Sequence, residues 1–280
     1  MRSITATLLG VALLVAGCGA IPRPRASSFH PSDADLSVTR IVHGAAIVEL
    51  RATRLLVDPW FHSGFLTRQA EPLGIVPEGL PPLAAVLVTH RHPEHFDRRA
   101  LAELAKTVAI AIGPPDLAAT LAELGFRDVR SLGYWDHTTV NDVEITAVPA
   151  SHAVHENGYV LSAHGLHAYL AGDTRYFSGL VDIATAWPRL DVALLPVGGR
   201  RVVGFLREMN AAEAARATAL LRPAYVVPMA YGAHGLPPLW WHASDPVAAF
   251  VDACRAEGLP AGRIVPLAPG ESWHYLRPAR

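Results

Sequence analysis

An α/β architecture, with sheets covered by helices, is what this 280-residue sequence predicts, on three observations. Short β-branched runs alternate with helix-patterned stretches from Ser37 onward, which is the pattern of sheets packed under helices. Hydrophobic residues make up 51% of the chain, enough to bury a sizeable core. The run at residues 84–89 is apolar almost throughout, as in a strand buried on both faces.

Taken in order, residues 1–17 read as a secretory signal peptide, with Arg2, an apolar run over 8–16 and small residues before a cysteine. That run is too short to span a bilayer as a permanent helix. Val15-Ala16-Gly17-Cys18 resembles the bacterial lipobox, which implies cleavage before Cys18 and lipid on its thiol. Gly19, in place of an aspartate, implies the outer membrane, facing the periplasm. Residues 18–36 form the lipidated cysteine and a Pro- and Ser-rich flexible linker, and 37–280 form the folded domain. With Cys18 lipidated, Cys254 is the one remaining thiol, so no internal disulfide is expected.

Strands are expected at 38–42, 46–50 and 55–57, an antiparallel start, and then at 84–89, which runs into a histidine-rich segment and a helix over 98–106. A strand at 108–112, a helix at 115–124 and a strand at 129–132 repeat that logic. Later strands are expected at 143–148, 159–162, 167–171, 192–196, 225–228 and 264–267, with helices at 210–221 and 245–257. The long Pro- and Gly-rich loop 61–82 is of the kind that carries function.

With 24 basic against 25 acidic residues, nothing suggests nucleic acid as a partner. Lys106 is the single lysine, and no phosphate loop of the G-x-x-x-x-G-K-[ST] type exists, which excludes ATP hydrolysis of that kind. Histidine is in excess, 14 residues, and histidine is the side chain most used for metal ligation and for proton transfer near neutral pH. The densest cluster is Thr89-His90-Arg91-His92-Pro93-Glu94-His95-Phe96-Asp97, directly after the buried strand. His90 and His92 can turn from the strand end toward one cation, with Glu94 and His95 close enough to serve a second. His152 and Asp173 follow later strands, where loops gather functional groups. For His62, His137, His155, His164, His167, His242 and His274 a structural or surface role is expected. The apolar stretch 236–241 fits core, pocket wall or membrane-facing edge.

The motifs His90-x-His92-x-Glu94-His95, His152, Ala171-Gly172-Asp173-Thr174, 43–49, 56–60, 158–160 and 194–198 together resemble the metallo-β-lactamase superfamily. Within it they look like the branch containing the ascorbate phosphate lactonase and the N-acylphosphatidylethanolamine phospholipase D. The resemblance implies a four-layer αββα sandwich with metals at the sheet edges. It implies one metal on His90, His92 and His152, and a second on Glu94 and His95, bridged by Asp173. Asp58 and His43 would stand behind the ligands, Asp58 orienting a ligating imidazole. Two departures stand out: Glu94 replaces the family's aspartate, and Ala230, in Pro228-Met229-Ala230-Tyr231-Gly232, replaces its last histidine. Ala230 cannot bind metal, so His234 is the candidate replacement, and one tight zinc with a weaker second zinc or manganese is expected.

Zinc on three histidines supplies hydroxide near neutral pH. An exported, lipid-anchored hydrolase of an ester, lactone or phosphodiester follows, with Asp173 and His95 as catalytic residues and a small-molecule or lipid-like substrate. The rival reading is a metal- or ligand-binding lipoprotein that kept the fold without turnover.

Overall fold

The computed structural model describes residues 34–64, 67–235, 240–241 and 243–277. The signal segment, Cys18, most of the linker, residues 236–239 and His242 lie outside them. Two large sheets stack face to face. The seven-stranded sheet runs in the order Ser272–Tyr275, Leu36–Val42, Ala45–Leu50, Thr53–Val57, Ala85–Leu87, Ile110–Gly113 and Asp128–Ser131. The six-stranded sheet runs Tyr225–Met229, Val192–Pro196, Leu166–Leu170, Asn157–Ala163, Val143–Pro149 and His137–Val140. In each, antiparallel hairpins give way to parallel strands joined by crossover connections.

Alternation along the strands explains the layers, because successive side chains point to opposite faces. Val48, Leu50, Leu55 and Leu87 pack inward against Ile145, Tyr159, Leu161 and Leu194 of the other sheet. Their neighbours Ile47, Leu56 and Val86 face outward onto Leu101 and Leu104 of α1 (Arg98–Leu104) and Leu121 of α2 (Ala118–Glu123). On the far side, Val160, Ala193 and Leu195 meet α3 (Leu180–Ala186), α4 (Ala211–Leu221) and α5 (Pro246–Ala256). Four layers, αββα, result. Each large aliphatic side chain taken from water here contributes about 1.5–3 kcal/mol.

Helix starts follow from capping. Asp97 accepts from Ala100 N at 3.0 Å to open α1, and Asn210 with Glu213 forms a reciprocal capping box on α4. Cys254 is buried in α5, and burial pushes its thiol up to about 11, which fits an inert packing role.

Three expectations change. The linker ends earlier than residue 36: Leu36 is wholly buried and opens the first strand, and Arg51 pairs with Asp35. The expected strand at 264–267 is a single bridge from Ile264 to Val226, because Pro266 removes a ladder donor; the edge strand is Ser272–Tyr275. Helix α3 and the strand His137–Val140 arise where no element was expected.

Candidate metal centre

One edge of the sandwich collects the chemistry. His43 follows the strand Leu36–Val42, Asp58 follows Thr53–Val57, and the His90 to His95 segment follows Ala85–Leu87. His152, Asp173, Arg200 and Ala230 follow Val143–Pro149, Leu166–Leu170, Val192–Pro196 and Tyr225–Met229. All of these residues leave the carboxyl ends of their strands, so the topology brings distant segments to one place. Backbone strain concentrates there too: His43, Asp58 and Ala230 hold φ of 51°, 46° and 58°, the left-handed region that non-glycine residues occupy at a cost.

Two groups of ligand atoms converge at this edge: His90, His92 and His152, and His43, His95 and Asp173, each with its atoms within 4.8 Å of one another. In the first, His92 Nδ1 lies 2.9 Å from His90 Nε2 and 3.0 Å from His152 Nε2. The opposite nitrogens are held from behind: His90 Nδ1 is 3.0 Å from Glu156 Oε1, and His152 Nδ1 is 2.9 Å from the Arg207 carbonyl. Such outer partners fix the tautomer and aim the inner nitrogen. Burial lowers the affinity of all three rings for protons, reinforced at His90 by the charge of His95, and holds His152 near about 4. Three neutral imidazoles with facing lone pairs repel one another unless a cation lies between them, so this donor set fits a divalent ion.

The second group is wholly buried. His95 Nδ1 is 2.8 Å from Asp58 Oδ2, and Asp58 is in turn fixed by Thr89 N and Oγ1, both at 2.7 Å. His95 Nε2 faces Asp173 Oδ1 at 3.2 Å. Burial opposes a charge on His95, but Asp173 and then Asp58 outweigh it and raise the ring's pKa well above the usual value. Burial likewise opposes the Asp173 charge, and His95 and Arg200 overcome it. Asp173 Oδ2 stands 3.9 Å from His90 Nε2, so one carboxylate faces both groups.

Arg200, Glu156 and Glu208 are the residues that sequence reasoning missed. The Arg200 guanidinium, 4% exposed, binds Glu94 through Nη1 and Asp173 Oδ2 through Nη2 at 2.6 Å. Glu208 accepts from the Arg200 backbone, and Glu156 Oε1 accepts from Asp173 N at 2.7 Å. Burial, then the Asp173 charge, pushes both glutamates well up. A signal existed: Glu156 precedes a buried strand, and Arg200 ends a Gly-Gly-Arg turn at a strand end like the others. Gly172, at φ +64°, is required because a Cβ there would meet Glu156 Oε1 at 2.4 Å.

His90, His92, His95, His152 and Asp173 therefore come together as expected, with Asp58 behind His95. Three assignments change. Glu94 pairs with Arg200 and is outside both ligand groups. His234 is exposed, on a two-residue strand paired with Arg68, and joins neither group, because the strand end at Ala230 turns away before reaching it. His43, expected behind the ligands, stands among them, its ring centroid 5.4 Å from that of His95.

Residues 53–231, which carry all but one of these ligands, match the β-lactamase superfamily domain. The chain belongs to the metallo-β-lactamase superfamily. It is 32% identical over 247 residues to a UPF0173 metal-dependent hydrolase from Pyrococcus furiosus, covering 85% of this chain and 98% of that one. A UPF0173 metal-dependent hydrolase from Methanopyrus kandleri is 31% identical over 250 residues, covering 85% and 99%. Among solved structures, the metallo hydrolase Igni18 from Ignicoccus hospitalis superposes with a TM-score of 0.68 at 24% identity, over 87% of this chain and 99% of that one. A possible metal-dependent hydrolase from Veillonella parvula gives 0.72 at 17%, over 86% and 100%. The expected superfamily and αββα fold are thus borne out. The coarse class of this metallo-β-lactamase superfamily member is a metal-dependent hydrolase.

Proposed function

We propose that this chain is an exported, lipid-anchored hydrolase that cleaves an ester, lactone or phosphodiester of an amphipathic substrate. The observation that carries the catalytic part is the set of three imidazole nitrogens from His90, His92 and His152, each ring neutral by burial and two of them aimed from behind. These three rings would hold a zinc-class cation, which would supply Lewis acidity for hydrolysis there.

The chain's own residues do the rest. Asp173 stays ionised between His95 and Arg200, so it orients a water by accepting a hydrogen bond rather than by storing a proton. Arg200 holds Asp173 and Glu94 in register, and Glu156 fixes both the His90 ring and the Asp173 backbone. Beside His152, Arg175, Tyr176, Phe205, Leu206, Arg207 and Glu213 line an open cavity of about 620 Å³, in which two guanidinium groups outnumber one carboxylate. Two guanidinium groups next to aromatic faces suit a substrate with an anionic group and an apolar portion. The anchor rests on the leader and Cys18. Among the described residues no helix is long and apolar enough to cross a membrane.

The test is hydrolysis of a lactone, a carboxylic ester and a bis-aryl phosphodiester by the purified chain, before chelation, after it, and after zinc is restored. Turnover of at least one class that is lost and regained with metal is expected. A metal-replete chain inert on all three overturns the substrate reading, and a Cys18→Ser chain that still partitions with membranes overturns the anchor.

A further inference from the structure

We infer that His43 completes a second cation site with His95 and Asp173, in place of the ligand that Ala230 cannot supply. This rests on the hydrolase reading above and deepens it. The side chains of His43, His95 and Asp173 are each wholly buried, and their ligand atoms lie within 4.8 Å of one another. His95 Nε2 and Asp173 Oδ1 are buried polar atoms that make no hydrogen bond: they face each other at 3.2 Å but out of line. Buried polar atoms left in this state call for an occupant.

His95 also repeats the arrangement of the first site. Its Nδ1 is held from behind by Asp58 at 2.8 Å, as His90 Nδ1 is held by Glu156, which turns Nε2 toward the same side as Asp173 Oδ1. Asp173 offers its other oxygen toward His90, so the two sites share one carboxylate. His43 reaches the group because its backbone adopts φ 51° at the turn, a strained conformation held by the Ala230 N–H, which donates to the His43 carbonyl at 3.1 Å. Gly44 makes room: a Cβ there would meet the His95 ring at 2.8 Å. Glu94 is drawn off by Arg200. The site is therefore two imidazoles and one carboxylate, a set suited to zinc and other first-row divalent ions, rather than the carboxylate-rich, manganese-leaning set that Glu94 would have made.

Zinc titration of the metal-free full chain, with metal counted after gel filtration, tests this. The wild type is expected to hold two equivalents. His43→Gly keeps the backbone comfortable at positive φ, and is expected to hold the first equivalent normally while binding of the second weakens by more than the roughly 100-fold typical of losing an outer partner. His234→Ala is expected to match the wild type. Two tight equivalents in His43→Gly overturn the assignment. A wild type that takes one equivalent and hydrolyses the test esters overturns it while leaving the hydrolase reading intact; one that takes no metal sinks both. Should the variant fail to fold, the wild type loaded with two equivalents of manganese decides: a spin-coupled pair in its electron paramagnetic resonance spectrum is expected, and an isolated-ion spectrum overturns the proposal.

Discussion

The two ligand groups at this edge share Asp173 and differ in how their charge is arranged. His90, His92 and His152 have lowered proton affinity, with one carboxylate and one carbonyl behind them, so their inward nitrogens form an electron-rich cup. His95 stands between Asp58 and Asp173, and Arg200 between Asp173 and Glu94, so the second region is already a chain of opposite charges. A cup of lone pairs needs a cation to be stable, whereas a charge network is partly satisfied without one. The first group should therefore bind metal tightly and the second with some rearrangement.

The largest effect that could break this comparison is at the first group. His92→Ala should remove the tightly held ion and lower turnover by a factor on the order of a thousand or more, since without the cation neither Lewis acid nor acidified water is supplied. Metal analysis beside a rate measurement decides; full occupancy with full rate would mean the cup is not the site.

Arg200→Met should destabilise the fold by about 3–5 kcal/mol in urea unfolding, because Glu94 and Asp173 keep buried charges without their counterion. Arg200→Lys should recover only part of this, as an ammonium cannot span two carboxylates as a guanidinium does. A Met variant as stable as the wild type would show that Arg200 does not compensate the buried charges of Glu94 and Asp173.

Asp58→Asn sharpens the contrast at smaller cost. It should weaken the second metal by about 10–100-fold and leave the first unchanged, since Asp58 touches His95 and not the first three rings. Isothermal titration with zinc separates the two steps.

The smallest effect is in the pH dependence of the metal-free protein. Burial lowers the pKa of His90, His92 and His152, so the unfolded chain binds more protons than the folded one below 6.5, and stability falls with acidification, for His152 down to about 4. His95 has the opposite sign: its raised pKa gives stability that is complete below 6.5 and is lost as pH rises through the folded value. Thermal unfolding of the metal-free chain should therefore peak near neutral pH, and metal, which binds only the unprotonated rings, should steepen the acid limb. An acid limb unaffected by metal would show that these rings do not set it.

His90 and His92 were legible as a pair because they stand two residues apart at the end of an apolar run, and the superfamily resemblance added His152 to them. Sheets covered by helices were legible because the run at 84–89 is apolar almost throughout and needs cover on both faces, whereas the four-layer order came from the superfamily resemblance. The edge strand Ser272–Tyr275 was not, since an edge needs little hydrophobicity, and Ile264 to Leu267 has the stronger β-branched composition while Pro266 interrupts its ladder. His234, the expected replacement for Ala230, lies exposed on a strand paired with Arg68 and outside both ligand groups, because four residues of sequence proximity do not by themselves carry a side chain around a strand end.

Hydrophobic periodicity and strand-end spacing, both local properties, pointed to helix-covered sheets and to His90 and His92 facing one cation. The αββα order and the full set with His152 and Asp173 came from the motifs' resemblance to the superfamily. Only the tertiary structure decided that Arg200 takes Glu94, that Glu156 backs both His90 and Asp173, and that His43 rather than His234 approaches His95. Those pairings join residues separated by 17 to 106 positions, and which buried charge meets which is set by the stacking of two sheets, a property that no local pattern encodes.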